Sequence, residues 1–169
     1  MITATTTGDV AVEALTASAF APFGAVLEAP PAGKHDLVNL LINLRAQARP
    51  HVVLVGIAPA ASPFTVVEME RHRYSAQLFL PLDVARYLVI VAPSAGPERP
   101  DTAGLRAFVA PGHVGVLYHP GTWHHPMRCL DRPGRFASLT FLAGNADDET
   151  FVSVAPKTLR GLPPAAPAV

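Results

Sequence analysis

The sequence has a single cysteine, Cys129, so no intramolecular disulfide can form and no thiolate cluster can bind a metal. Charge is also scarce. Only 15% of the 169 residues are Asp, Glu, Lys or Arg, 13 of each sign, and the formal net charge is zero with a pI near 7.1. That balance leaves no electrostatic footprint for nucleic acid or an anionic membrane surface, and little self-repulsion against an oligomer. No apolar run is long enough to span a bilayer. Met1–Ile2–Thr3–Ala4–Thr5 places no basic residue ahead of an apolar stretch and lacks the shape of a signal peptide. The expectation is a soluble cytoplasmic protein that binds a small molecule. There is no glycine-rich phosphate loop, no nucleophile elbow around Ser75 or Ser138, no helix-turn-helix and no internal repeat.

Half of the residues are hydrophobic, which excludes a disordered chain, and the length suits one domain over 1–169. Its core is expected from about Phe20 to Val154, between a mobile Thr-rich tail to about Asp9 and a Pro/Ala-rich tail over Gly161–Val169. Val52–Ile57, Phe64–Glu70, Gln77–Leu82, Tyr87–Ala92, Leu105–Val109, Gly115–Tyr118 and Phe136–Leu142 are short runs rich in β-branched and aromatic residues. Most of the 18 prolines fall between such runs, where they do least damage. Glu13–Phe20 reads as one short helical turn with Thr16 as a cap, and Leu37–Leu44 is ambiguous between helix and strand. Many short punctuated strands predict an all-β fold, an antiparallel sandwich or barrel with few short helices.

Two polar clusters interrupt this β sequence. The first holds Glu70 and His72, two apart and therefore on one face of an extended strand, with Gln77 opening the next apolar run. The second is His119–Pro120–Gly121–Thr122–Trp123–His124–His125. Taken singly, Glu70 could face solvent, Gln77 could be a satisfied interior amide and His124 a hydrogen-bonded barrel histidine. Taken together they point to a site in the barrel mouth. His125 should face away from His124, and Arg71 away from Glu70 and His72. Tyr118 and Arg106 are candidates to bind a substrate carboxylate, although Arg106 could equally face solvent. Trp123 offers either packing at the barrel rim or a face on which substrate could stack.

Glu70–Arg71–His72, Gln77–Leu78–Phe79–Leu80–Pro81–Leu82, Leu105–Arg106–Ala107–Phe108, Gly115–Val116–Leu117–Tyr118–His119 and Trp123–His124–His125–Pro126 together resemble the ureidoglycolate lyase family. Phe20–Glu28 resembles that family's opening strand, so the likeness runs from about Phe20 to Phe136. It implies a cupin fold, that is, an antiparallel double-stranded β-helix or jelly roll. It also implies a divalent metal ion and a homodimer that releases urea from ureidoglycolate to give glyoxylate, late in allantoin breakdown. At cupin spacing Glu70, His72, Gln77 and His124 become the metal ligands, a mixed oxygen and nitrogen set suited to Ni, Mn, Zn, Fe or Co. His119 or Glu70 becomes the catalytic base. Two departures stand out: the family's Asp–Arg pair is replaced near Thr140 and Phe141, and its Asn–Gly and Arg–His segment is missing from Lys34–Gln47. They leave open a non-catalytic small-molecule-binding cupin, or a cupin isomerase or dioxygenase acting on a related small acid.

Overall fold

Alternation of apolar side chains builds the molecule from strands. The computed structural model describes residues 8–164; Met1–Thr7, within the tail expected to be mobile, and the last five residues of the Pro/Ala-rich end lie outside them. The strands are β1 (Val10–Ala14), β2 (Gly24–Leu27), β3 (Arg49–Ile57), β4 (Thr65–Arg71), β5 (Gln77–Asp83), β6 (Arg86–Ala92), β7 (Arg106–Pro111), β8 (Gly115–Tyr118), β9 (Trp123–His124), β10 (Arg128–Leu130), β11 (Gly134–Leu142) and β12 (Thr150–Arg160). One short helix, α1 (Ala17–Phe20), is capped by Thr16, whose Oγ1 accepts from the Ala19 N–H at 3.2 Å. The ambiguous segment contains a short 3₁₀ turn, Val38–Leu40.

The strands form two sheets, ordered β10-β6-β7-β1-β12-β4-β9 and β2-β8-β5-β11-β3. Strand β9 also pairs with β6, so β6, β7, β1, β12, β4 and β9 close into a ring. The fold is all-β: a closed six-stranded barrel with a second sheet packed against it. Alternation assigns each strand's residues to one of two cores. Leu88, Ile90, Ala107, Met69 and Trp123 fill the ring. Tyr87, Val89, Val91, Phe108, Phe79, Val116, Tyr118 and Phe136 fill the space between the two sheets. There the ring of Phe136 meets those of Tyr87 and Phe79 edge-on, at 5.1 and 6.1 Å between centroids.

The pairing is not antiparallel throughout. Strand β1 lies parallel to both β7 and β12. It comes before the expected core, and β12 runs past the core's expected end, so segments on both sides of that core are drawn into the ring. Val10 and Val12 earn their burial only once β1 sits between those two strands; a five-residue segment carries little periodic signal by itself.

The turn after α1 brings the backbone of Gly24 hard against β8. A Cβ there would lie 1.8 Å from the Leu117 carbonyl oxygen. Gly24→Ala is therefore expected to destabilise the protein by about 3 kcal/mol, since backbone cannot yield as a side-chain tip can. Chemical denaturation of the two proteins checks this, and an unchanged midpoint would contradict the packing at this corner.

Candidate metal centre

Strand β4 sorts its last residues by face. Met69 enters the ring interior and Glu70 emerges between the sheets. Arg71 turns away, stacking 4.3 Å above the Trp123 ring and donating to the Pro97 carbonyl and to Glu98. His72, just past the strand, returns to the side of Glu70. Across the ladder, Glu70 is in register with His124 of β9. Directly opposed residues share a face, so His124 joins Glu70 while Trp123 goes into the ring. The Pro120–Gly121 turn reinforces this arrangement. Gly121, at φ +80°, donates its N–H to the His72 carbonyl at 2.8 Å.

Glu70, His72 and His124 are buried, and each offers a ligand atom within 4.8 Å of the other two. His124 Nε2 stands 3.2 Å from Glu70 Oε1. The two imidazoles are set by backbone carbonyls, each 2.9 Å from a ring Nδ1: Asp148 for His72 and Thr122 for His124. A carbonyl only accepts, so both Nδ1 atoms carry the proton and both Nε2 lone pairs are free to ligate. Burial acts to raise the Glu70 carboxyl, but the adjoining His124 ring and the neighbouring His72 and His125 outweigh it, leaving the pKa below its ordinary value. Burial, helped by His124, lowers His72 and keeps it neutral. The donor set is one carboxylate and two imidazoles.

Gln77, on β5 of the opposite sheet, lines the same cavity. Its Oε1 and His124 Nε2 are both buried and find no hydrogen-bond partner among the described residues. Buried polar atoms are rarely left so, and an ion ligated by both would satisfy them. The donor set and these two orphaned atoms fit a borderline divalent cation.

Other expected site residues lie elsewhere. Arg106 forks onto the Glu13 carboxylate at 3.1 and 2.8 Å and donates to the Ala19 carbonyl, clamping β1 and α1 to β7; it binds no cavity wall. Trp123 is fully buried in the ring core under Arg71, leaving no face for a substrate. Tyr118 lies flat against His124 at 4.2 Å and 11°, and burial pushes its hydroxyl well above the usual range, so it supports a ligand instead of lining the cavity. His119 does not reach the cavity that holds Glu70 and His72. The Pro–Gly turn carries it to a separate depression beside Phe23 and Pro93. His125 faces away from the cluster, its Nδ1 2.7 Å from the Pro126 carbonyl and its ring edge-on to Phe64.

The cavity measures about 560 Å³ and has walls that sequence reasoning passed over. His51 and Val53 of β3, Ser138 and Thr140 of β11, and Asn145, Asp148 and Glu149 after β11 all line it. Period-two spacing would have marked His51 with Val53, and Ser138 with Thr140, as sharing one face. The loop offered no such signal. Thr140 stands where the resemblance leads one to expect part of a charged pair, and its Oγ1 lies 2.9 Å from Ser75 Oγ. The Asp148 carboxyl works against its own desolvation but collects three backbone N–H groups and Arg45, and falls to about 2.

A model of the family described as ureidoglycolate lyase matches residues 7–157. The chain belongs to the ureidoglycolate lyase family. A relative of that name from Burkholderia cepacia is 41% identical over 137 residues, 74% of this chain and 75% of the relative. Another, from Burkholderia mallei (strain NCTC 10229), is 38% identical over 136 residues, 74% of this chain and 78% of the relative. Among solved structures, a dTDP sugar isomerase from Desulfovibrio desulfuricans G20 superimposes with a TM-score of 0.46 at 16% identity, covering 76% of this chain and 80% of that one, a likeness too loose to inform the chemistry.

His72→Ala and His124→Ala are each expected to abolish metal retention through gel filtration, with an affinity loss exceeding the roughly 10–100-fold typical of losing an outer-shell partner. Elemental analysis of the eluted protein measures this, and far-UV circular dichroism should stay unchanged because the backbone ladders of β4 and β9 depend on neither side chain. Metal retained by both variants would dissolve the proposed centre.

Proposed function

We propose that the protein is a metal-dependent lyase that releases urea from ureidoglycolate to give glyoxylate, a step of purine breakdown through allantoin. The observation that carries this reading is the buried Glu70–His72–His124 cluster, with both Nε2 atoms freed for ligation, opening on a small polar cavity in a chain of this family.

The substrate carbon bears a hydroxyl, a carboxylate and the urea nitrogen. When its C–N bond breaks, the bonding pair leaves with nitrogen, the hydroxyl loses its proton, and C–O becomes C=O. The urea nitrogen gains a proton, so no water is consumed. A divalent ion held by Glu70, His72 and His124, with Gln77, would supply Lewis acidity toward the substrate's oxygens. Among the expected catalytic residues Glu70 stays at the reaction site, as an ionised ligand. The proton is then better moved by a group outside the cluster. His51 is an imidazole on the cavity wall and takes the role expected of His119. The Ser138 hydroxyl and the Asn145 amide are placed on the same wall to hold the ureido end.

No lysine or arginine lines this cavity among the described residues. A missing charge-assisted hydrogen bond to substrate is worth on the order of 1.5–3 kcal/mol, which lowers turnover tenfold or more without erasing it. The same proposal makes the enzyme a homodimer of the cytoplasm. Its single cysteine is buried and unpaired, as suits a reducing compartment. On the outer face of the second sheet, Val52, Leu54 and Leu82 are 63%, 79% and 60% exposed, and β3 leaves one edge open to a second copy.

Metal-loaded protein should release glyoxylate and urea in equal amounts from one enantiomer of ureidoglycolate, and a chelator should stop it. Failure with both enantiomers would favour a cupin acting on another small acid. His51→Gln should lower kcat about a hundredfold or more, as loss of an acid–base group does; an unchanged kcat moves the proton to Glu149. Leu54→Glu should convert a dimer to a monomer in light scattering, and a dimer that persists would place the interface elsewhere.

A further inference from the structure

Arg45 and Asp148 lie 103 residues apart, yet each is drawn out of solvent to meet the other. Side-chain exposures of 9% and 11% put the pair in the partly buried class, where removing one partner leaves the other poorly solvated. The Asp148 carboxylate is saturated. It accepts from the Arg45 guanidinium, and from the N–H groups of Ala143, Gly144 and Asn145 at 2.7, 2.7 and 3.1 Å. The segment after β11 therefore winds around its own carboxylate. At the same residue, the main-chain carbonyl of Asp148 meets His72 Nδ1.

Arg45 is anchored beside the same ligand. Leu44 donates its N–H to the Tyr74 carbonyl, Ala76 donates to the Ile42 carbonyl, and Asn43 bridges Ser75. The Arg45 guanidinium also sits 5.2 Å from the centre of the Tyr74 ring. Three stretches of chain thus meet at one charge pair: the one before β3, the one that carries His72, and the one after β11.

We propose that Arg45 and Asp148 are positioning residues of the metal centre, locking the loop after β11 so that its carbonyl fixes the His72 ring with Nε2 presented to the ion. This rests on the metal reading of the site given above. Neither side chain needs to touch metal or substrate. Their effect passes through one hydrogen bond to a ligand, the kind of outer-shell contact whose loss typically costs 10–100-fold in metal affinity.

The test uses two readouts on the full chain. Side-chain ¹⁵N spectra of metal-free protein report the His72 tautomer directly. Wild type should show a single Nδ1–H form, and Asp148→Asn and Arg45→Gln an average of both tautomers. Co(II) titration, followed by its visible absorption, should then show affinity reduced by about 10–100-fold in Asp148→Asn. Arg45→Lys, which keeps the charge and loses the fork, should recover part of it. In the double variant the loss should fall short of the sum, since the two act as one unit. Thermal melts confirm that each variant is folded at the temperature of measurement. A folded variant with unchanged His72 spectra, or with wild-type Co(II) affinity, overturns the lock. Wild-type protein that binds no Co(II) overturns the metal reading and the lock with it, whereas equal binding with and without the pair overturns the lock alone.

Discussion

Strand β9 is two residues long and pairs on both sides, with β4 through Glu70 and His124 and with β6 through Trp123–Ala92 and His124–Val91. That double pairing closes the ring. It also forces a division of labour on neighbouring residues, because successive side chains of a strand point to opposite faces. Trp123 must enter the ring and His124 must leave it. The apolar bulk of Trp123, roofed by Arg71, holds the short strand in place; His124 then has no freedom except to stand opposite Glu70. A site of two buried imidazoles and a carboxylate is costly to assemble in an apolar interior. Here its geometry follows from packing on the other side of the same strands.

Support continues outward in layers. Tyr118 stacks on His124 from the second sheet, and Gln77 is in register with Tyr118 across β5 and β8. Through Tyr118 the second sheet thus ties His124 to Gln77, the fourth candidate ligand. His72 lies beyond the end of β4 and lacks such a ladder. It is held instead by turns: Gly121 on its carbonyl and Asp148 on its ring. Of the three clustered residues, His72 depends most on loops.

The readable parts of the sequence were those in which one strand states its own pattern. The spacing of Glu70 and His72, the opposed faces of His124 and His125, and the outward turn of Arg71 follow from period two within a few residues. Thr16 as a helix cap is equally local. What escaped was set by distant partners. Val10–Ala14 has too few residues to declare itself a strand, and only β7 and β12 make it one. Arg106 looked available because its partner, Glu13, stands 93 positions away on that unrecognised strand. His119 is close to His124 in sequence, but a Pro–Gly turn separates the faces they reach. The cavity's far wall, His51 on β3 and Thr140 on β11, comes together through a nine-residue ladder between segments far apart in the chain.

With no lysine or arginine lining the cavity among the described residues, the charges present still allow it to receive a carboxylate. Asp148 is neutralised by Arg45, so the acidic groups left facing the space are Glu70 and Glu149. Of these, Glu70 lies inside the cluster, and a divalent cation bound there leaves that cluster with one net positive charge. An amide at position 77, where a carboxylate could stand, matters here. Were position 77 a glutamate, the same cluster would be neutral and would offer an anion far less. The arginine missing from the wall and the amide at Gln77 are therefore consistent with one another: a substrate carboxylate without a guanidinium partner would still meet net positive charge at a cation held by this cluster. On the proposed substrate the ureido end, uncharged and rich in hydrogen-bonding groups, would face hydroxyls, an amide and an imidazole, which match it without a desolvated ion on either side.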